Sequence, residues 1–137
     1  MAAIIFDVDG TLWDSTEEVA VSWNQAIRER TSLERVLTGE ELKKEFGKPL
    51  DEIMDDLFPE LSKPEKEELA YHMYQYENAH IEGAPCILYE GMPDTVRRLS
   101  EKYPLFIVSN CQSGYIEAFL KNTGLGDCIR DFTCPGD

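Results

Sequence analysis

The sequence predicts an α/β fold: a Rossmann-like parallel sheet, incomplete in this chain, that carries an inserted all-helical unit. Three observations point to it. The runs Ala3-Ile4-Ile5-Phe6 and Leu105-Phe106-Ile107-Val108 are unbroken and apolar, as strands covered on both faces of a parallel sheet are. Residues 15–83, between them, read as helices only. That stretch also has its own electrostatic character, since residues 14–83 hold 18 acids and 8 bases of a chain whose net charge is −14. The expected units are therefore 1–14 with 84–137 for the sheet, and 15–83 for the helices.

The elements follow in order. After the first strand, Ser15 and Glu18 form a capping-box pattern, and Val19, Trp23, Ala26 and Ile27 make one helical stripe. Thr38 and Glu41 repeat the box, and Gly47 ends that helix. Leu50 to Phe58 read as a short helix closed by Pro59. Ser62 and Glu65 form a third box with Pro64 in the first turn, and Leu69, Met73, Tyr76 and His80 line the face of a long helix. Pro93 opens a helix that presents Val96, Leu99 and Tyr103. A further helix covers Ser113 to Asn122 with Gly124 as its stop, and a short strand is expected at Asp131 to Cys134. The remaining residues are few for a doubly wound sheet, which usually needs on the order of 100. The turn-like Cys134-Pro-Gly-Asp137 looks internal, so the core is expected to be unfinished, to expose an edge and an apolar face, and to dimerise or swap through them.

Composition excludes several functions. With 13 Lys and Arg against 27 Asp and Glu, nucleic acid and anionic membrane surfaces are not expected partners. No apolar run reaches the length of a membrane span. The amino terminus lacks a basic region, so no signal peptide is expected. Cys86, Cys111, Cys128 and Cys134 form no CxxC pattern, and reduced thiols in the cytoplasm are the expectation.

The chemistry concentrates in Asp7-Val8-Asp9-Gly10-Thr11, directly after the first strand. Two carboxylates one residue apart then sit at a strand's C-terminal end, where open α/β sheets bind ligands. Gly10 permits a sharp exit and leaves amide groups for an anion. A hard cation could bridge the acids to a phosphate. One carboxylate could attack phosphorus while the other moves a proton. A hairpin turn is the bland alternative, but no partner strand follows. An EF-hand fails on spacing, with glycine fourth instead of sixth.

At these residues the sequence resembles the haloacid dehalogenase superfamily of phosphohydrolases and phosphotransferases, whose first motif, DxDGT, is matched in full. The resemblance implies Asp7 as nucleophile, Asp9 as general acid and base, and Mg²⁺ held by the Asp7 carboxylate and the Asp9 backbone carbonyl. Ser109-Asn110, after the second apolar run, is similar to the second motif. Gly10, Thr11, Ser109 and Asn110 are then the expected phosphate-binding residues. The helical stretch resembles the cap of the phosphoglycolate phosphatase and β-phosphoglucomutase branch. There Gly47-Lys48-Pro49 is similar to a substrate loop, and Lys48 is expected to meet a substrate anion. The implied activity is Mg²⁺-dependent hydrolysis of a small phosphorylated metabolite through an aspartyl-phosphate. The third and fourth motifs of the superfamily, a lysine and an acidic pair, would lie beyond Asp137, which puts full activity of this chain in question. A sugar phosphomutase and a non-catalytic interaction module derived from a phosphatase are the competing readings.

Overall fold

The structure, a computed structural model, describes residues 2–135. Its elements, in chain order, are β1 (Ile4–Phe6), β2 (Trp13–Asp14), α1 (Thr16–Arg30), α2 (Gly39–Glu45), α3 (Leu50–Leu57), α4 (Lys63–Ile81), β3 (Ile87–Leu88), α5 (Met92–Ser100), β4 (Leu105–Val108), α6 (Tyr115–Thr123) and β5 (Asp131–Thr133). The larger sheet is parallel, in the order β1-β4-β5. Its register sets Phe6 beside Ile107 and Ile107 beside Phe132, so the C-terminal ends of β1 and β4 lie together. A smaller antiparallel ribbon pairs Trp13 with Leu88 and Asp14 with Ile87. It clasps the two points where the helical insertion leaves and rejoins the sheet. Strands of two residues carry too little pattern to be read from sequence, and neither was expected.

Within the insertion, α1 packs along α4, with α2 against α1 and α3 against α4. Val19, Trp23, Ala26 and Ile27 of α1 are all buried, as their spacing requires. The capping boxes at Thr38 and Ser62 both form. The one expected at Ser15 does not. Asp14 takes over that role, its side chain accepting from the Thr16 N–H at 3.0 Å and the Thr16 hydroxyl at 2.6 Å, which leaves Ser15 free for other work. Glu18, its expected partner, instead meets His80 Nε2 at 2.6 Å.

Two further expectations shift, and a third holds. On α4 the buried face is Leu69, Ala70, Met73, Glu77 and Ile81, while Tyr76 and His80 are only half-buried. The face runs through an acid that an apolar stripe passes over. The helix α5 stops at Ser100 and leaves Tyr103 outside it. Lys102 and Tyr103 both donate backwards to the Leu99 carbonyl, at 3.0 and 2.9 Å, and Pro104 disfavours a helical residue before it. Finally, the sheet is covered on one face only. Leu105 and Ile107 are buried, but Ile5 and Val108 on the other face are 66% and 49% exposed. The described residues supply no cover for that side, which is the apolar face that so short a sheet is expected to expose. No helix among the described residues is long and apolar enough to cross a membrane. The turn expected at 134–137 runs past the described residues.

Candidate active site

The chain leaves β1 through a tight turn anchored by Val8, which is fully buried. The Val8 carbonyl accepts from Thr11 N at 3.1 Å and Leu12 N at 2.8 Å, and Gly10 N donates to Trp13 O at 3.0 Å. Gly10 has φ +74°, the left-handed conformation that glycine adopts freely. These bonds commit the Gly10 and Thr11 amides inside the turn, in place of the open amides expected there. The turn's product is the placement of two carboxyls: Asp7 is exposed at the strand's end, and Asp9 turns toward the helices.

The Asp9 carboxylate is held from both parts of the molecule. Oδ1 accepts from the Tyr115 hydroxyl at 2.5 Å and from Ser15 Oγ at 3.2 Å, and those two hydroxyls are 2.6 Å apart. Tyr115, on α6, is itself fixed: it is fully buried and packs edge-on against Trp13 with centroids 6.0 Å apart. Burial pushes the Asp9 carboxyl up from 3.8 to about 6. The hydrogen bonds from Tyr115 and Ser15 oppose that rise and the charge of Asp7 adds to it. A carboxyl that can still hold a proton near neutral pH suits an acid–base role.

The loop after β4 faces this turn. Ser109 is 7% exposed, and its N–H donates to the Thr133 carbonyl of β5 at 3.3 Å. Asn110 reaches the insertion, donating from Nδ2 to the Gly47 carbonyl at 3.0 Å. A second tie runs through Asn78 of α4, which accepts from Gln112 Nε2 at 3.0 Å and donates to the Ser113 carbonyl at 2.9 Å. Between sheet and insertion lies a cleft of about 190 Å³. Asp7, Asp9, Ser109, Asn110 and Lys48 all line it, whereas Gly10 and Thr11 do not. The Lys48 ammonium is paired with Asp56 at 2.9 Å and Glu45 at 3.0 Å, and these bonds, Asp56 foremost, raise it to about 12.

The family model of haloacid dehalogenase-like hydrolases matches residues 4–135. The chain belongs to this family. Among curated proteins, none matches the chain in sequence. Solved structures of similar fold include a predicted phosphoglycolate phosphatase from Haemophilus somnus, with TM-score 0.83 and 20% identity over 98% of this chain and 62% of that one. A haloacid dehalogenase-like hydrolase from Streptococcus pneumoniae gives TM-score 0.76 and 23% identity over 99% of this chain and 62% of that one. A HAD-hydrolase from Bacillus subtilis, solved bound to magnesium, gives TM-score 0.64 and 18% identity over 96% and 64%. The chain thus spans about three fifths of the length of these structures.

The family generally uses Mg²⁺. Mg²⁺ takes oxygen donors and is commonly bound by one or two carboxylates, with water and phosphate filling the rest of its shell. The Asp7 carboxylate and the Asp9 backbone carbonyl are oxygen donors of that kind, while the Asp9 carboxyl is engaged by Tyr115 and Ser15. No group of three or more His, Cys, Asp or Glu gathers among the described residues. The donor set fits a cation that stays largely hydrated until phosphate arrives.

Sequence reasoning missed Tyr115 and Glu77 altogether, and it read Ser15 as a helix cap and Trp23 as core packing. Trp23 is buried at 2% exposure, yet it also lines the cleft and donates its indole N–H to Glu77 at 2.6 Å. Nothing local links Tyr115 to an aspartate over a hundred residues away. Glu77 did leave a signal, an acid four residues after Met73 on a buried helix face.

Proposed function

We propose that this chain carries the phosphoryl-transfer half of a phosphatase acting on small phosphate monoesters. The observation that carries this reading is the convergence of Asp7, Asp9 and Ser109 on one cleft at the C-terminal ends of two parallel strands. In this reading, an Asp7 oxygen attacks phosphorus and the bond from phosphorus to the ester oxygen breaks. Asp9 delivers its proton to that leaving oxygen. Water then attacks phosphorus and gives its proton to Asp9. The bond from phosphorus to Asp7 breaks, which returns the Asp7 carboxylate and releases inorganic phosphate.

Ser109 and Asn110 are assigned the phosphate oxygens. Gly10 and Thr11 act by shaping the turn. Asp7 and Asp9 would hold Mg²⁺, which, when bound, neutralises phosphate charge beside the two acids. Residues 15–83 are read as a cap over a core formed by 1–14 and 84–137, with the β2–β3 ribbon as the joint between them. The Asn110–Gly47 bond then seats the cap against the core in the arrangement described here. Lys48 serves that wall through its ion pairs.

The test is Mg²⁺-dependent phosphate release from an aryl phosphate. Asp7→Asn should abolish it, and Asp9→Asn should slow both formation and breakdown of the phosphoenzyme. Undiminished release by Asp7→Asn would contradict the assignment.

A further inference from the structure

The wall of the cleft also carries an acid that the reaction does not use, and its chemistry bears on the alcohol portion of the substrate. Glu77 lines the cleft, 4% exposed, from the buried face of α4. One of its carboxylate oxygens accepts the Trp23 indole N–H at 2.6 Å. Gln112 also bonds to the Glu77 carboxylate, and a carboxylate offers about four acceptor sites, so capacity remains for a ligand. Burial raises the Glu77 carboxyl to about 7. An acid kept in the wall of a ligand cleft against that penalty is a functional candidate. The rest of the wall supplies no compensating charge. Among the described residues that line the cleft the one cation is Lys48, and both Glu45 and Asp56 already hold it.

Granting the phosphatase reading, on which this rests, we propose that Glu77 is a specificity-determining residue that selects phosphate monoesters with an uncharged, hydroxyl-bearing alcohol portion and rejects those bearing a carboxylate. A substrate hydroxyl can donate to the Glu77 carboxylate beside the Trp23 N–H. A substrate carboxylate in that position meets like charge in a poorly solvated wall, with no free ammonium or guanidinium to receive it. Once Glu77 is ionised, acceptor-only groups on the ligand gain nothing from it.

Titration calorimetry on the full chain with Mg²⁺ at pH 8, where Glu77 is ionised, tests this, using inorganic phosphate, glycerol phosphate and phosphoglycolate, with phosphate release followed in the same samples. Glycerol phosphate should bind roughly tenfold or more tighter than phosphoglycolate. Glu77→Gln, whose amide can donate to a carboxylate, should bring the two within about threefold. Equal or tighter binding of phosphoglycolate to the wild type overturns the proposal, as does a ratio that survives Glu77→Gln in a variant that circular dichroism finds folded. The wild-type ratio decides alone if that variant does not fold. Absence of binding by all three ligands, inorganic phosphate included, overturns the phosphatase reading and the proposal with it. Phosphate bound with the esters in the wrong order overturns only the role of Glu77.

Discussion

Replacing Glu77 by Gln should stabilise the protein at pH 8 and leave it nearly unchanged at pH 5. The magnitude follows from the carboxyl's displacement. Burial lifts Glu77 from 4.5 to about 7, more than the Trp23 and Gln112 hydrogen bonds pull it back. A carboxyl raised on folding favours the native state most fully below its unfolded value, and that contribution fades as pH climbs through its folded one. At about 1.36 kcal/mol per pK unit, ionising Glu77 in place costs the native state roughly 3 kcal/mol by pH 8. Glutamine keeps an acceptor for the Trp23 indole and removes the titration. Urea unfolding followed by circular dichroism at pH 5 and pH 8 reads the difference between the two proteins. Asp9 also titrates near 6, but it is present in both and largely cancels. A glutamine variant less stable than wild type at pH 8, or one with the same change between the two pH values, would refute the reasoning.

Other consequences can be checked alongside. Tyr115→Phe removes the hydroxyl that donates to Asp9 while keeping the ring against Trp13. Hydrogen bonds to charged groups contribute about 1.5–3 kcal/mol, so phosphate release should slow roughly tenfold to a hundredfold, and an unchanged rate would contradict the positioning role. Lys48→Ala should leave KM within about twofold, because the ammonium is already paired and exposed ion pairs contribute little. A KM raised more than tenfold would return Lys48 to the substrate. The open sheet face, where Ile5 is 66% exposed, should drive concentration-dependent self-association in sedimentation, weakened by Ile5→Lys. A monomer at every concentration would contradict that.

What was legible in the sequence were features with a local cause. Apolar runs placed β1 and β4, Thr38 with Glu41 and Ser62 with Glu65 placed two helix starts, and Gly124 marked the end of α6 at φ +68°. Asp7 and Asp9 were legible because two acids and a glycine after a buried strand have few structural uses. What stayed hidden depends on tertiary approach. Ser15 carries a capping signature, but Asp14 wins the cap and Ser15 turns to Asp9. Tyr115 reaches that carboxylate only because β1 and β4 pair in parallel and α6 follows β4. Glu77 was passed over because charge argued for the surface, whereas Trp23 gives it a buried partner. The open face of β1 was expected of so short a sheet, although a run such as Ile4-Ile5-Phe6 does not say which segment would cover it.

The account turns on the Asp7 carboxylate as the group that receives phosphorus. Rapid mixing with Mg²⁺ and a phosphate monoester, quenching with borohydride and peptide mass spectrometry measures that directly, since reduction of an aspartyl-phosphate leaves homoserine in its place. The account predicts homoserine at position 7, absent from Asp7→Asn and more abundant in Asp9→Asn. Phosphate release without homoserine at that position, or homoserine at another aspartate, would contradict it.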